Sequence, residues 1–292
     1  DLTDGSLHDH NMNKMFSLQA DTEFTPNASP DTWLRFLDDI FAGDREMIRF
    51  IQKCVGYTLS GSIREQVMFI LHGIGRNGKS LFVDTISDIL GSYAKNIRAE
   101  SLMIKSAGQS SVGNEIARLQ GARMVTSSEP NEGFRFDEGL IKQLTGEEKV
   151  TARFLYGEDF EFKPKFKIWL TTNHKPIVRG TDDGIWRRLI LIPFEVQIPE
   201  DKVDKNLKHK LMREAPAILN WALEGSLMWQ REGLNPPQKV LDASVAYRNE
   251  MDVIEFFISE ECIVGEGYEV GAQELFKAYK NWAKESGEYS MG

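Results

Sequence analysis

The sequence lacks several features that would assign it at once to a class of protein. Its 292 residues include only two cysteines, Cys54 and Cys262. Two cysteines so far apart are too few for a disulfide framework, and they lack the spacing of metal ligands. No apolar run approaches the roughly 20 residues of a membrane-spanning helix, and no signal-peptide pattern opens the chain. We therefore expect a reducing, cytoplasmic location.

A generally basic surface is also missing. The chain has 35 Lys and Arg residues against 44 Asp and Glu residues, a net charge of −9. This charge excludes a basic coat for nucleic acid, although a basic loop or inner channel stays compatible with it.

The composition is typical of a globular protein, with 41% hydrophobic and 27% charged residues. Short apolar runs alternate with amphipathic stretches, which indicates an α/β fold with a parallel sheet covered by helices. A hairpin is predicted around Tyr156-Gly157. The runs predicted as sheet strands are 67–71, 122–126, 168–172 and 189–192.

Changes in composition divide the chain into four predicted segments. Ser29-Pro30 predicts the start of the first helix, with Ser29 as its cap. An Asn-Pro-Pro break at 235–237 marks the last boundary. Because the chain begins with Asp1 rather than Met, we expect it to be part of a longer protein. The segments are an N-terminal helical segment (1–62), a core (63–198), a helical extension (199–236) and a C-terminal region (237–292).

The strongest motif lies between a predicted strand and a predicted helix. Residues 73–80 read GIGRNGKS and match G-x-x-x-x-G-K-[S/T] in full. In such a loop, glycines let backbone N–H groups face phosphate oxygens, and a helix N-terminus adds partial positive charge. Lys79 would reach the β- and γ-phosphates of ATP, and Ser80 would offer its hydroxyl to Mg²⁺. The candidate nucleotide-binding residues are Gly73, Gly75, Arg76, Asn77, Gly78, Lys79, Ser80 and Leu81.

Hydrolysis of ATP needs further groups, and the ends of two later strands supply candidates. Glu129 follows an apolar strand and is the candidate general base; with Ser80 it is also a candidate Mg²⁺ ligand. Ser128 stands where a second acidic residue is usual, so the metal would depend more on Ser80, ATP oxygens and water. Asn173 ends another strand and could hydrogen-bond the attacking water or the γ-phosphate. The alternative for Glu129 is a residue that only caps a loop.

Arg187 and Arg188 precede the last apolar strand. A guanidinium can form two hydrogen bonds to a γ-phosphate in the transition state, and in a ring that phosphate would belong to the neighbouring subunit. The alternative is a structural ion pair with a nearby carboxylate.

In this order, the motifs resemble a superfamily-3 helicase domain. More closely, they resemble the helicase part of the primase-helicases of phages, plasmids and poxvirus-type viruses. The resemblance extends beyond the core to residues 52–61, Tyr247-Arg248, 252–257 and Glu274-Leu275 with Trp282. The motifs that carry it are 75–80, Ser128-Glu129, 144–153, Thr172-Asn173 and Arg187-Arg188.

The resemblance implies a P-loop NTPase core of AAA+-like type, with an incomplete winged-helix-like region over 237–292. It implies a replicative, hexameric helicase that moves 3′-to-5′ on single-stranded or forked DNA, with a primase domain upstream, in a bacterial or phage-infected cytoplasm. It makes Arg188 the arginine finger, Arg187 its neighbour and Asn173 the first sensor. Lys142 falls near the position of an additional basic sensor.

In that family, the hairpin before the sensor strand lines the pore of the ring, and here it is 150–162. Lys149, Arg153 and Lys163 would neutralise DNA phosphates without reading sequence, and Tyr156 or Phe154 would stack on a base. The alternative is an ordinary hairpin with solvated lysines, since two acidic residues occupy its turn.

Two other functions are compatible with the motifs. A small-molecule P-loop kinase would need an acceptor pocket and a lid, and would make no use of arginines across subunits. A non-catalytic origin-binding or loader module would keep the nucleotide as a structural ligand.

Overall fold

A computed structural model describes residues 1–9, 11–104, 112–128, 133–180 and 182–285. The chain divides into two compact units, Asp1–Ser244 and Val245–Gly292. Within the described residues, no helix is both long and apolar enough to cross a lipid bilayer. The segment boundaries predicted at 62, 198 and 236 stay predictions.

The first unit is built on a five-stranded parallel sheet, which confirms the predicted α/β class. Its strands are in the order β2-β3-β6-β1-β7, so β1 lies between β6 and β7. The four predicted strands are present with ends shifted by two residues or fewer, and the short edge strand β2 was not predicted. A separate antiparallel pair, β4 and β5, forms the predicted hairpin. The strands are β1 (Met68–His72), β2 (Ala94–Asn96), β3 (Met124–Ser128), β4 (Val150–Arg153), β5 (Asp159–Phe162), β6 (Lys167–Thr172) and β7 (Leu189–Pro193).

Helices surround this sheet and continue into the second unit. Those of the core are α3 (Lys79–Leu90), α4 (Val112–Ala117), α5 (Glu138–Thr145) and α6 (Asp183–Trp186). The remaining helices are α1 (Asp31–Ile40), α2 (Arg45–Leu59), α7 (Leu207–Arg213), α8 (Ala215–Glu232), α9 (Gln238–Glu250), α10 (Val253–Glu261) and α11 (Ala272–Glu285).

The main core lies where α1, α2 and α8 meet one face of the sheet. Trp33 of α1 is fully buried, and its ring contacts those of Phe82 and Trp221, each with centroids 5.4 Å apart. Phe82 in turn lies 6.0 Å from Trp169 of β6. Burial of aromatic side chains of this size dominates the energetics of a core, so the first helices belong to the same core as the sheet.

The start of α1 differs from the prediction. Ser29 does not cap this helix; its hydroxyl donates a 2.6 Å hydrogen bond to Asp31. The free N–H groups of Thr32 and Trp33 instead donate to the carboxylate of Glu214, at 2.9 and 3.0 Å. A carboxylate suits the positive end of the helix, and tertiary folding brings this one from far along the chain.

The second unit contains α10 and α11, which pack through a small aromatic cluster. Phe257 lies 5.4 Å from Tyr279 and 5.7 Å from Trp282, measured between ring centroids. Trp282 also donates a 2.8 Å hydrogen bond to Glu260. No strand occurs between residues 245 and 285, so the winged-helix-like region stays a prediction.

Candidate nucleotide site

The motif at residues 73–80, which we call the glycine loop, connects the carboxyl end of β1 to α3. Two of its glycines are required by close packing. A Cβ atom at Gly73 would lie 2.2 Å from the carbonyl oxygen of Phe194, and one at Gly78 would lie 2.6 Å from a methyl carbon of Ile40. Gly78 also has a φ of +81°, which L side chains rarely adopt. The loop is therefore closely packed on its inner side.

The tip of the glycine loop has a left-handed backbone that the rest of the fold holds in place. Gly75 and Arg76 have φ values of +45° and +44°. The N–H of Ile198 donates to the carbonyl of Arg76 at 2.8 Å, and the Arg76 guanidinium lies 3.3 Å from Glu200. The Arg76 side chain is thus paired away from the loop, which leaves its backbone as the part suited to phosphate.

Lys79, the first residue of α3, has a buried ammonium group. Only 5% of the residue is exposed, and Nζ lies 2.5 Å from the carbonyl oxygen of Gly73. It donates two further bonds of 3.1 Å, one to the amide oxygen of Asn77 and one to that of Asn173. Asn77 is itself fixed by a 3.2 Å hydrogen bond to Phe194. These three oxygens hold the ammonium group at the helix N-terminus.

The sheet explains why Asn173 reaches Lys79. Strands β1 and β6 are neighbouring and parallel, with Leu71 opposite Thr171 and His72 opposite Thr172. Their carboxyl ends therefore meet at one edge, where the glycine loop leaves β1 and Asn173 follows β6. The parallel pairing of β1 and β6 thus brings Asn173 beside Lys79, and the sensor role of Asn173 stays a prediction.

Glu129, the candidate general base, lies outside the described residues. Its neighbour Ser128 ends β3 and pairs in register with Thr171 of β6, so β3 ends at the same edge of the sheet as Asn173. Its roles as base and metal ligand stay predictions.

The described residues fit a magnesium nucleotide at this edge. Ser80 is exposed one residue after Lys79, and its hydroxyl is a hard oxygen donor of the kind Mg²⁺ prefers. The first N–H groups of α3, from Lys79 to Leu81, lack intrahelical acceptors and favour anions. No cluster of three His, Cys, Asp or Glu side chains able to hold a metal alone occurs in the described part of the chain.

Arg187 and Arg188 lie at the opposite edge of the sheet. The carbonyl of Arg188 accepts a 2.8 Å hydrogen bond from Met68, the first residue of β1. From Met68 to Gly73 the strand rises about 16 Å at 3.3 Å per residue. Neither arginine therefore belongs to the Lys79 site of its own chain. Arg188 is buried and donates a 2.5 Å hydrogen bond to the carbonyl of Gly184, whereas Arg187 is exposed.

Lys142, the candidate additional sensor, is held by a carboxylate. Its Nζ lies 3.0 Å from each carboxylate oxygen of Asp182, at the start of α6. This contact is the largest cause of the lowered pKa of Asp182. Lys142 therefore favours the ionised form of Asp182 and forms an ion pair with it. Asp182 lies close to Arg187 and Arg188, which we call the arginine pair.

The hairpin exposes Tyr156 almost completely, at 98%. Two of the three cations predicted to bind DNA are paired with carboxylates. Lys149 lies 2.9 Å from Glu161, and Arg153 lies 3.8 Å from Asp159 on the facing strand. Lys163 is exposed at the base of the hairpin. The tip thus presents an aromatic ring rather than a concentration of charge.

Sequence reasoning missed two contacts around these sites. The amide of Gln197 donates a 3.1 Å hydrogen bond to the carbonyl of Ile74 in the glycine loop. The side chain of Gln66 bonds Arg187. Both pairs are more than 100 residues apart in sequence, and no local pattern signals them.

A family of unknown function (DUF5906) matches residues 71–188, a span that begins just before the glycine loop and ends at Arg188. "Putative helicase L207/L206" of Acanthamoeba polyphaga mimivirus is 29% identical over 260 residues, covering 82% of this chain and 27% of the viral protein. "Putative helicase 022R" of Frog virus 3 is 28% identical over 268 residues, covering 85% of this chain and 27% of the relative.

A relative named as a primase also matches. "Putative primase C962R" of African swine fever virus is 22% identical over 241 residues, covering 75% of this chain and 25% of that protein. This chain resembles the helicase domain of a primase-helicase. The resemblance expected from the motifs is thus confirmed, and the chain spans about a quarter of the length of these relatives.

Among solved structures, the C-terminal region of NrS-1 (residues 305–718) has the same fold. The TM-score is 0.55 at 16% identity, and the match covers 84% of this chain and 64% of the other. The fold shared with NrS-1 therefore extends beyond residues 71–188, the span that the family matches.

Proposed function

We propose that this chain is the ATP-dependent helicase domain of a replicative primase-helicase. The observation that carries the proposal is the position of Lys79: a buried cation at a helix N-terminus, in a glycine loop, bonded to the amide that ends the neighbouring parallel strand. Phosphate oxygens are charged and bind an ammonium group more strongly than carbonyl and amide oxygens do, so the phosphates of ATP are suited to replace these contacts of Lys79.

The residues around the glycine loop have separate roles in ATP binding and hydrolysis. The backbone of the glycine loop and the first turn of α3 bind the phosphates of ATP, and Lys79 contacts the β- and γ-phosphates. Asn173 orients a water molecule, and Glu129 accepts its proton. Mg²⁺, held by Ser80 and phosphate oxygens, would supply charge neutralisation at the γ-phosphate.

The arginine pair requires a second copy of the chain. Because Arg188 lies about 16 Å along β1 from the Lys79 loop, by the rise of the strand, it serves a nucleotide only across a subunit boundary. This separation supports the proposed ring, a homohexamer in which Arg188 of one subunit faces the ATP of the next. Movement of the hairpin would then carry single-stranded DNA 3′-to-5′, with Tyr156 stacked on a base.

The test is ATP turnover by the purified chain with and without single-stranded DNA. We expect DNA to raise the rate and Lys79→Ala to abolish it. Lys205→Ala, which removes an exposed lysine elsewhere, is the matched control and should leave the rate unchanged. Turnover that DNA does not alter would contradict a helicase and favour a kinase, and binding without turnover would favour a loader module.

A further inference from the structure

One side-chain oxygen holds both arginines of the pair. The amide oxygen of Gln66, in the turn before β1, accepts a hydrogen bond of 2.9 Å from Arg187 and one of 3.4 Å from Arg188. It is therefore placed to fix the two guanidinium groups relative to each other.

The backbone at Gln66 is unfavourable for a residue of this type. Its φ is +53°, in a turn closed by a 2.9 Å hydrogen bond from its N–H to the carbonyl of Ile63. A residue other than glycine costs about 1 kcal/mol or more in this conformation, and asparagine is tolerated better than glutamine. A long amide side chain at such a position suggests that the side chain itself is required.

The surrounding charges explain why the acceptor is neutral. Burial is the main cause that lowers the pKa of Arg188, and the charge of Arg187 lowers it further. Its Nη1 donates to Gly184, and its Nε has no acceptor among the described residues. The nearby carboxylate of Asp182 is bound by Lys142. A neutral oxygen can therefore orient both guanidinium groups and leave their positive charge for an incoming anion.

We propose that Gln66 is a positioning residue, which holds Arg187 and Arg188 toward the triphosphate bound by a neighbouring copy of the chain. The inference rests on the proposed function. Gln66 precedes β1, whose opposite end leads into the glycine loop, and in this proposal it acts only through the arginines.

Two substitutions of Gln66 distinguish an effect on the position of the arginines from an effect on folding. Gln66→Glu keeps the length of the side chain but places a carboxylate against the arginines, and should lower kcat for ATP at least 10-fold while KM changes less than twofold. Gln66→Asn suits the left-handed backbone but shortens the side chain, and should lower kcat with no loss of thermal stability. Gln120→Glu makes the same chemical change at an exposed position away from the arginines and should behave like the parent.

The turnover of assemblies mixed from two variants tests the positioning role separately, because a purely structural role of Gln66 would not change it. Lys79→Ala subunits lack a nucleotide site but keep the arginine pair, whereas Gln66→Glu subunits keep the nucleotide site. Mixing them should restore turnover above the sum of the two alone, because intact arginines then face intact sites.

The outcomes are distinguishable. No turnover by the parent would refute the proposed function, and this inference with it. If the parent is active and Arg188→Ala is inactive, unchanged kcat in Gln66→Glu and Gln66→Asn would overturn only the role of Gln66. Loss of folding in Gln66→Asn would also overturn that role. So would a mixture of Lys79→Ala and Gln66→Glu subunits whose turnover equals the sum of the two variants measured alone.

Discussion

The crossing of α2 and α8 provides the sharpest test of the packing that supports the nucleotide site. Gly56 of α2 faces Gly225 of α8 so closely that a Cβ atom at Gly56 would lie 2.0 Å from the backbone nitrogen of Ser226 and 2.1 Å from the carbonyl carbon of Gly225. These are backbone atoms of a helix and cannot rotate away. Gly56→Ala therefore requires the two helices to separate.

Two effects of opposite sign determine the change in stability. Alanine is the better helix former by about 1 kcal/mol, which favours the substitution. Restoring an ordinary contact of about 3.5 Å means a separation of about 1.5 Å, which also opens the apolar contacts on either side. Overpacking of a core costs about 1–3 kcal/mol, and a contact between two backbones belongs at the upper end. We expect a net loss of about 2 kcal/mol.

Urea unfolding followed by tryptophan fluorescence measures this loss, because Trp229 of α8 lies 4.7 Å from Tyr57 beside the crossing. With a slope of about 3 kcal/mol per M, the midpoint should fall by about 0.7 M. The control is Gly139→Ala in α5, where the added Cβ meets only a side-chain oxygen at 3.4 Å. That variant should be as stable as the parent or more so. A Gly56→Ala protein at least as stable as the parent would refute the proposed close approach.

Three further predictions concern single side chains. Tyr156→Ala should lower the affinity for single-stranded DNA about 10-fold, since one stacked base contributes about 1–3 kcal/mol, with fluorescence anisotropy as the assay; equal affinity would remove the hairpin tip from the DNA path. Glu214→Ala should destabilise the first unit by about 1–2 kcal/mol in urea unfolding, the usual effect of losing a helix cap; no change would mean that water replaces the carboxylate. Burial raises the pKa of the Cys54 thiol well above its usual 9.0, so folding keeps this thiol protonated and stability should fall as pH rises past 9, where the unfolded chain ionises. A parent whose stability follows the same curve as Cys54→Ala above pH 9 would contradict this.

The elements closest to the motifs were the most predictable. The strands before the glycine loop and before Asn173 are short apolar runs, and burial on both faces of a parallel sheet requires that pattern. The order of strand, loop and helix at 68–90 likewise follows from local residues. Strand ends were displaced by up to two residues, because register with a neighbouring strand rather than local sequence decides where pairing stops.

Contacts between distant residues were not predictable in the same way. Ser29 satisfies the local rule for a helix cap, yet the carboxylate of Glu214 occupies that place because α7 and α8 bring it there. The sequence of the hairpin indicates free cations at Lys149 and Arg153. In the structure, the pairing of β4 with β5 brings a carboxylate to each of them. A local pattern specifies what a residue can do, and its tertiary neighbours decide which of those interactions it makes.

The amino-acid sequence alone determined the α/β class, the glycine loop with Lys79 and the chemical identity of the groups around it, because these depend on backbone conformation and on residue type within a few positions. Only the tertiary structure decided that Asn173 contacts Lys79, that Arg188 lies at the far edge of the sheet, and that Gln66 holds the arginine pair. Those facts depend on which strands are neighbours and in which direction they run, and hydrogen bonds and packing between residues distant in sequence fix both.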